Sequence, residues 1–282
     1  MTAQKSSYGA AAARLLALRD GFASGAVRFT IIPTNVRGRI YRLKSATGPY
    51  VWDTTETGGP SNGVRFVLYK DSAFAVVTPL DSIGYVDLLD ESSGSTNTLE
   101  VKITVGSTTY ADYTISGSEG SSIDNLTLSG YVTDTKTMVN FTMTFNDNST
   151  TGALTMNSTI SAPAISFNYV FKLSVSSMTS GSTTTTTITL NYTVSDATDS
   201  LTAQGTLTEV ESNSGTTESG TITVSANGVT FATITASASG ETYSANTGSL
   251  STSQQQALSS LFASGLELQV FVVFLIIPFG IV

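Results

Sequence analysis

Three short stretches bring carboxylates close enough in sequence to act together. They are Asp87, Asp90 and Glu91 in VDLLDES, Asp196 and Asp199 in SDATDS, and Glu209 with Glu211 in EVES. Two carboxylates facing each other across a cleft can divide general-acid work from base or nucleophile work. Loops rich in side-chain oxygen can instead hold calcium. On a strand Glu209 and Glu211 share one side, yet the sequence offers them no opposing acid or cleft. Asp196 and Asp199 fall in a turn, where solvation accounts for them. FNDNST and SDATDS both lack the twelve-residue ligand spacing, with its glycine and closing glutamate, that makes a calcium loop specific.

The chain contains neither histidine nor cysteine. That inventory excludes Ser-His-Asp and Cys-His catalysis, zinc held by imidazole or thiolate, and disulfides. Lys102, Lys136 and Lys172 are the only basic residues after position 70, so a Ser-Lys dyad has few candidates, and Lys136 lies between two strand patterns. GSEGSS at 117–122 sits between strands instead of opening a helix, so it is no phosphate loop. Arg37, Arg39 and Tyr41 alternate along one strand in NVRGRIYRLK. One basic strand in a net-acidic chain does not make a nucleic-acid surface. Five Asn-x-Ser/Thr triplets, at Asn125, Asn140, Asn148, Asn157 and Asn191, match the chance rate in so Asn- and Thr-rich a chain. The reading is of a non-enzyme with no catalytic residue, no metal ligand set and no cofactor.

What the sequence does supply is a long series of half-buried strands. In TMVNFTMTFND, Val139, Phe141, Met143 and Phe145 fall on one side, with Asn140, Thr142, Thr144 and Asn146 on the other. AISFNYVFKLSV aligns Ile165, Phe167, Tyr169, Phe171, Leu173 and Val175; TITLNYTV aligns Ile188, Leu190, Tyr192 and Val194. Period-two alternation of this length marks a strand with one dry and one wet face. Between strands lie turn clusters such as SMTSGSTT and ESNSGTTESG, and Asn227-Gly228 is the strongest hairpin signal. No stretch between them is long enough to be a crossover, so the strands should pair antiparallel throughout.

The fold class expected is therefore all-β: a long antiparallel up-and-down meander curled into an open half-barrel, since twist accumulates over many strands. An N-terminal helical segment spans 1–25, the meander 26–248, and a C-terminal helix with an apolar tail 249–282. Ser253 and Gln256 have the form of a capping box opening that helix, and Leu258, Leu261, Phe262, Gly265, Leu268 and Val272 follow at helical spacing. The last thirteen residues, VFVVFLIIPFGIV, carry no charge. As a helix they reach about 20 Å, short of the roughly 30 Å hydrocarbon core of a bilayer. Burial against the chain's own apolar sheet face fits that length better, with membrane contact through 266–282 as the alternative. The residues then placed to bind a hydrophobic ligand on the concave face are Phe141, Phe145, Phe167, Phe171, Tyr192, Phe271 and Phe274.

Composition sets the setting. Charged residues make up 12% of the 282 and hydrophobic ones 40%, so the polar surface is built from Thr, Ser, Asn and Gly, and the chain is not disordered. Uncharged hydroxyl surfaces of this kind suit an exported bacterial protein, although Arg14 interrupts the N-terminal apolar run and no export signal is evident. Residues 1–70 carry a net +7 and the remainder −15, which points to docking of the basic part on the acidic part, with an anionic membrane surface or lipopolysaccharide as the alternative partner.

NVRGRIYRLKSATGPYVWDTTETGGPSNGVRFVLYKDS, with PLDSIGYVDLLDES and YADYTISGS after it, resembles an uncharacterised group of exported, β-rich bacterial proteins. There a GxxY-x-W/V-D segment precedes GAPxNGVRFxLY and GYxDLxD. Tyr50, Trp52, Asp53, Gly63, Val64, Arg65, Phe66, Tyr69, Gly84, Tyr85, Asp87 and Asp90 match, while GGPSNG departs from GAPxNG. The likeness covers about 35–115 and implies a β-rich exported protein, with no activity or site residues to carry over. Gly63 and Gly84 are expected to relieve close backbone approach, and Trp52 to belong to the core. Together these features suggest a non-enzymatic envelope protein holding a lipid or acyl chain, at the periplasm or cell surface. A structural or adhesive surface protein with a solid core and an outer-membrane barrel are the alternatives.

Overall fold

The computed structural model describes residues 32–72, 75–118, 125–148, 151–237 and 240–260. The N-terminal helical segment and the tail with Phe271 and Phe274 lie outside the described residues. Fifteen strands form one sheet: β1 (Arg39–Leu43), β2 (Tyr50–Asp53), β3 (Gly63–Tyr69), β6 (Ser82–Asp90), β7 (Thr96–Val105), β8 (Thr108–Ser118), β9 (Asn125–Thr133), β10 (Met138–Asn148), β11 (Ala153–Ala162), β12 (Phe167–Ser180), β13 (Thr183–Ser195), β14 (Ser200–Ser212), β15 (Gly215–Ala226), β16 (Val229–Ser237) and β17 (Gly240–Ala245). The short strands β4 (Asp71–Ser72) and β5 (Ala75–Val76) pair only with each other.

From β6 to β17 each strand neighbours the next in sequence, and the order does not close: it ends at β17 on one side and at β2 on the other. This is the expected open meander. Uniform antiparallel pairing fails at one place, where β1 pairs parallel with β3, Ile40 opposite Arg65. The hairpin β1–β2 folds outward, and the connection through 54–62 passes back to set β3 on the inner side of β1. Two compact units share the described residues, one of 32–118 with 126–141, the other built mainly from 142–260.

In the second unit, pairing places the buried apolar positions on one side. Leu173 lies opposite Met156 and Leu190, and Val175 opposite Leu154 and Ile188. Leu207 follows beside Ile188, and Ile222 beside Ile234. Val175, Val224 and Ala232 have no exposed surface. The alternation read from TMVNFTMTFND and TITLNYTV is thus the burial pattern, with Met143, Phe145, Ile188 and Leu190 all buried. Ile165 departs from its expected strand. Pro163 opens a single 3₁₀ turn, Ser166 adopts φ 54°, and Ile165 is left 62% exposed, so the strand starts two residues later.

Asn227 and Gly228, at φ 50° and 78°, form the turn between β15 and β16. Two consecutive positive φ values are what the tight hairpin requires, and Asn and Gly tolerate them best. Gly63 and Gly84 behave as expected: a Cβ there would stand 2.1 Å from the Leu88 carbonyl oxygen and 2.0 Å from that of Thr104. Helix α1 spans 252–260 among the described residues. Its capping box is Ser251 and Gln254, not Ser253 and Gln256: the Gln254 N–H donates to Ser251 Oγ at 3.3 Å, and Gln254 Oε1 accepts from the Ser251 N–H at 2.8 Å. STSQQQ contains the motif in two registers, and the earlier one starts the helix. Leu258 is buried, and Ser259 hydrogen-bonds the Tyr243 hydroxyl on β17, so α1 rests against the last strand. No helix among the described residues is long and apolar enough to cross a membrane.

Candidate ligand-binding site

The expected ligand-binding aromatics divide by environment. Phe171 is 1% exposed and Phe145 is also buried. Phe171 faces Ser158 on one side and Tyr192 on the other, and Tyr169 meets the Tyr192 ring edge-on at 5.4 Å. Burial raises the Tyr192 hydroxyl above the ordinary tyrosine range. Phe141 is half-buried with its ring 6.0 Å from Tyr113, in the first unit. Phe167 lines a cavity.

That cavity measures about 380 Å³ and lies at the end of the apolar face of the second unit. Phe167, Val194, Leu201 and Ala226 form its floor, and Asp196, Asp199 and Asn227 stand at its edge. Pairing brings the floor together: Val194 opposite Leu201, and Leu201 opposite Ala226. Turn chemistry builds the rim. Asp196 Oδ1 accepts the N–H groups of Thr198 at 2.8 Å and Asp199 at 2.9 Å. Asn227 donates through Nδ2 to Asp199 at 3.0 Å and accepts the Ser200 N–H at 2.7 Å. Two adjacent hairpin turns are therefore tied to each other. Val194 was visible in the alternation; Leu201, Ala226 and Asn227 were not, because only the register places them beside Phe167.

Those backbone bonds hold the Asp196 carboxyl below its ordinary value of 3.8, the Thr198 N–H first among the causes and the Asp199 N–H second. A lowered folded-state value means stability that is present above the unfolded value and lost as pH falls through the folded one. Acidification below 3.8 is accordingly expected to loosen this rim. The check is stability against pH for wild type and Asp196→Asn: the variant should show the shallower acid limb.

A second, polar cleft of about 570 Å³ lies in the first unit, lined by Ile40, Arg42, Glu56, Arg65, Val67 and Tyr85 among others. Its charges are already matched. Arg65 grips Asp87 with two bonds, Nε to Oδ1 and a terminal nitrogen to Oδ2, both 2.7 Å, and its guanidinium lies 3.8 Å from the Tyr85 ring centre. Arg42 pairs with Glu56 and approaches Asp53 through Nε at 3.1 Å; that last contact is an ion pair without hydrogen-bond alignment. Register extends the row, with Asp87 opposite Lys102 and Lys102 opposite Asp112. Lys102 lies 3.1 Å from both Glu100 and Asp112, and the bonds to Glu100 and then Asp112 raise its pKa. Arg65, Asp87, Lys102 and Asp112 thus alternate in sign across four neighbouring strands. They form a structural ladder.

The other carboxylate clusters of the sequence lie outside this ladder. Asp90 pairs with Arg37 at 2.5 Å, so part of the basic N-terminal region does dock on acids beyond residue 70. Glu209 and Glu211 lie opposite Thr186 and Thr184 on β13, and on β15 the register sets Glu218 directly opposite Glu209, an opposing acid that the sequence did not reveal. Lys136 is exposed in the turn after β9. Among the described residues no three acids gather in a metal-binding group. Arg39 donates to the Asn35 carbonyl at 2.7 Å and stacks 4.0 Å from the Trp52 ring centre. Trp52 is not core: on the edge strand β2 it is 48% exposed.

The wet face of β11–β17 has its own character. One row across seven strands reads Thr155, Ser174, Thr189, Thr206, Thr221, Thr235 and Thr242. Lys172 is the one charge described on this face; Glu209, Glu211, Glu218 and Glu241 all share the parity of the apolar side. No family model matches the chain, and no curated protein or solved structure is similar to it.

Proposed function

We propose that this chain is a non-enzymatic bacterial envelope protein that binds a hydrophobic ligand, an acyl chain or lipid, at the open end of its apolar sheet face. One observation carries the reading: Phe167, Val194, Leu201 and Ala226 continue the side of the sheet that buries Phe171, Leu190 and Val224 into a cavity of about 380 Å³. That size falls within the roughly 300–1,000 Å³ of small-molecule sites, and apolar walls with a few polar groups at the mouth are their usual make-up. The Thr- and Ser-rich surface, the likeness over 35–115 and the lack of histidine and cysteine support an exported protein that works by binding.

Filling the floor tests it. Ala226→Trp is expected to abolish binding of a fluorescent fatty acid that wild type binds, with an unchanged melting transition. Wild type that binds no such probe, and co-purifies with no lipid in native mass spectrometry, overturns the reading. The uncharged hydroxyl face favours a second one, an adhesive or structural surface protein. In that case the melting temperature is indifferent to added lipid.

A further inference from the structure

The polar cleft of the first unit holds groups that the charge ladder leaves unused. Its volume of about 570 Å³ falls in the range of small-molecule sites. Ile40 and Val67 line it and are 4% and 6% exposed, so part of its wall is apolar and sealed from behind. Glu56, Thr57, Arg65 and Ser82 supply polar groups beside them.

Much of that polarity remains after the internal bonds are made. A guanidinium carries five N–H donors, and Arg65 gives two of them to Asp87. Among the described residues no acceptor takes the other three, and its side chain is 26% exposed. Glu56 accepts from Arg42 through Oε1 alone, which leaves Oε2 as an acceptor on a side chain that is 41% exposed. Thr57 and Ser82 are exposed, and their hydroxyls form no bond among the described residues. Donors and acceptors therefore face one space, while the charges offset one another: Arg42 is held by Asp53 and Glu56, and Arg65 by Asp87. An added anion would compete with these carboxylates, and an added cation with the guanidiniums. An acyl chain would strip water from the unbonded groups without replacing it, which is costly.

We propose that this cleft binds a neutral polyhydroxyl ligand, the pyranose ring of a saccharide. Such a ring has the matching make-up. One side presents C–H groups to Ile40 and Val67, and its rim carries hydroxyls that each donate and accept. The rim can take hydrogen bonds from Arg65 and give one to Glu56 with both ion pairs left intact. The inference is independent of lipid binding, because every residue it uses lies in the first unit.

Titration of the full-length, isotope-labelled chain with the methyl glycosides of glucose, galactose and mannose tests it by amide chemical shifts. At least one of them is expected to shift Thr57, Ser82 and Tyr85 at millimolar concentration, with the corresponding uronate and amino sugar about tenfold weaker. Thr57→Trp, at an exposed lining residue, should abolish those shifts with an unchanged melting transition. Ala226→Trp, in the second unit, should leave them as in wild type. No shift with any of the glycosides, or shifts confined to other residues, overturns the proposal. So does a uronate or amino sugar that binds as tightly as its neutral counterpart, or sugar binding that survives Thr57→Trp.

Discussion

Truncation of Phe171 to alanine is expected to destabilise the protein by about 3–5 kcal/mol, the range for removing a fully buried large aromatic. The ring is 1% exposed, between Ser158 on β11 and Tyr192 on β13, with Leu173 and Tyr169 on its own strand beside it. Backbone hydrogen bonds clamp the neighbouring strands at fixed separation, so they cannot close over the space and the cavity term stays in full. Phe171→Leu, which keeps most of the volume, should cost under about 1.5 kcal/mol. Ile165→Ala, at a site 62% exposed, should lie within about 0.5 kcal/mol of wild type. Urea unfolding of the three variants checks the series. A Phe171→Ala cost near that of Ile165→Ala would mean that the apolar face is not packed.

The second large effect is expected at Arg65. Its side chain is 26% exposed, but the Asp87 carboxylate it grips is only 8% exposed. Arg65→Met leaves that carboxylate with one charge partner fewer in a place that water scarcely reaches, and about 3 kcal/mol should be lost. Arg65→Lys should recover only part of it, since an ammonium cannot make the two parallel bonds or lie flat over Tyr85. The double variant Arg65→Met with Asp87→Leu should be more stable than Arg65→Met alone, because the buried charge has gone. Additive losses in that cycle would show the two side chains to be independent, against the paired 2.7 Å bonds.

The fold was legible wherever one rule acted alone. Alternation with turn residues between the strands is a local signal, and it correctly announced β10, β12, β13 and the Asn227-Gly228 hairpin. The places that differ are those where a second constraint competes. Pro163 and a left-handed Ser166 override the alternation that includes Ile165. The overlapping Ser-x-x-Gln motifs of STSQQQ leave the helix start open by two residues, and the structure uses the earlier one. The parallel pairing of β1 with β3 could not be read, because it depends on which way the 54–62 connection returns, and nothing in those residues encodes direction.

The candidate site was less legible than the sheet. Aromatic content marks the strongest core positions, and Phe145 and Phe171 turned out to be just that, filled and sealed. A cavity forms where side chains are small or missing, as at Ala226, and where the ends of four strands meet. That is a property of register, which no single segment carries. The charge ladder was hidden for the same reason. Arg65, Asp87, Lys102 and Asp112 are far apart in the chain and become neighbours only through consecutive pairings.

A strand order that simply follows the chain from β6 to β17 gives the molecule a nearly one-dimensional cooperativity. Each strand is stabilised by its immediate neighbours, as in repeat arrays whose stability is a sum of unit and nearest-neighbour terms. Opening then proceeds from an end inward, like a zip, and rarely begins in the middle. Loops need close over only a few residues at each step, so assembly can spread in either direction from any hairpin that forms early. Amide exchange should therefore slow progressively from β17 towards β12, with the terminal strands released and re-formed many times within the lifetime of the centre.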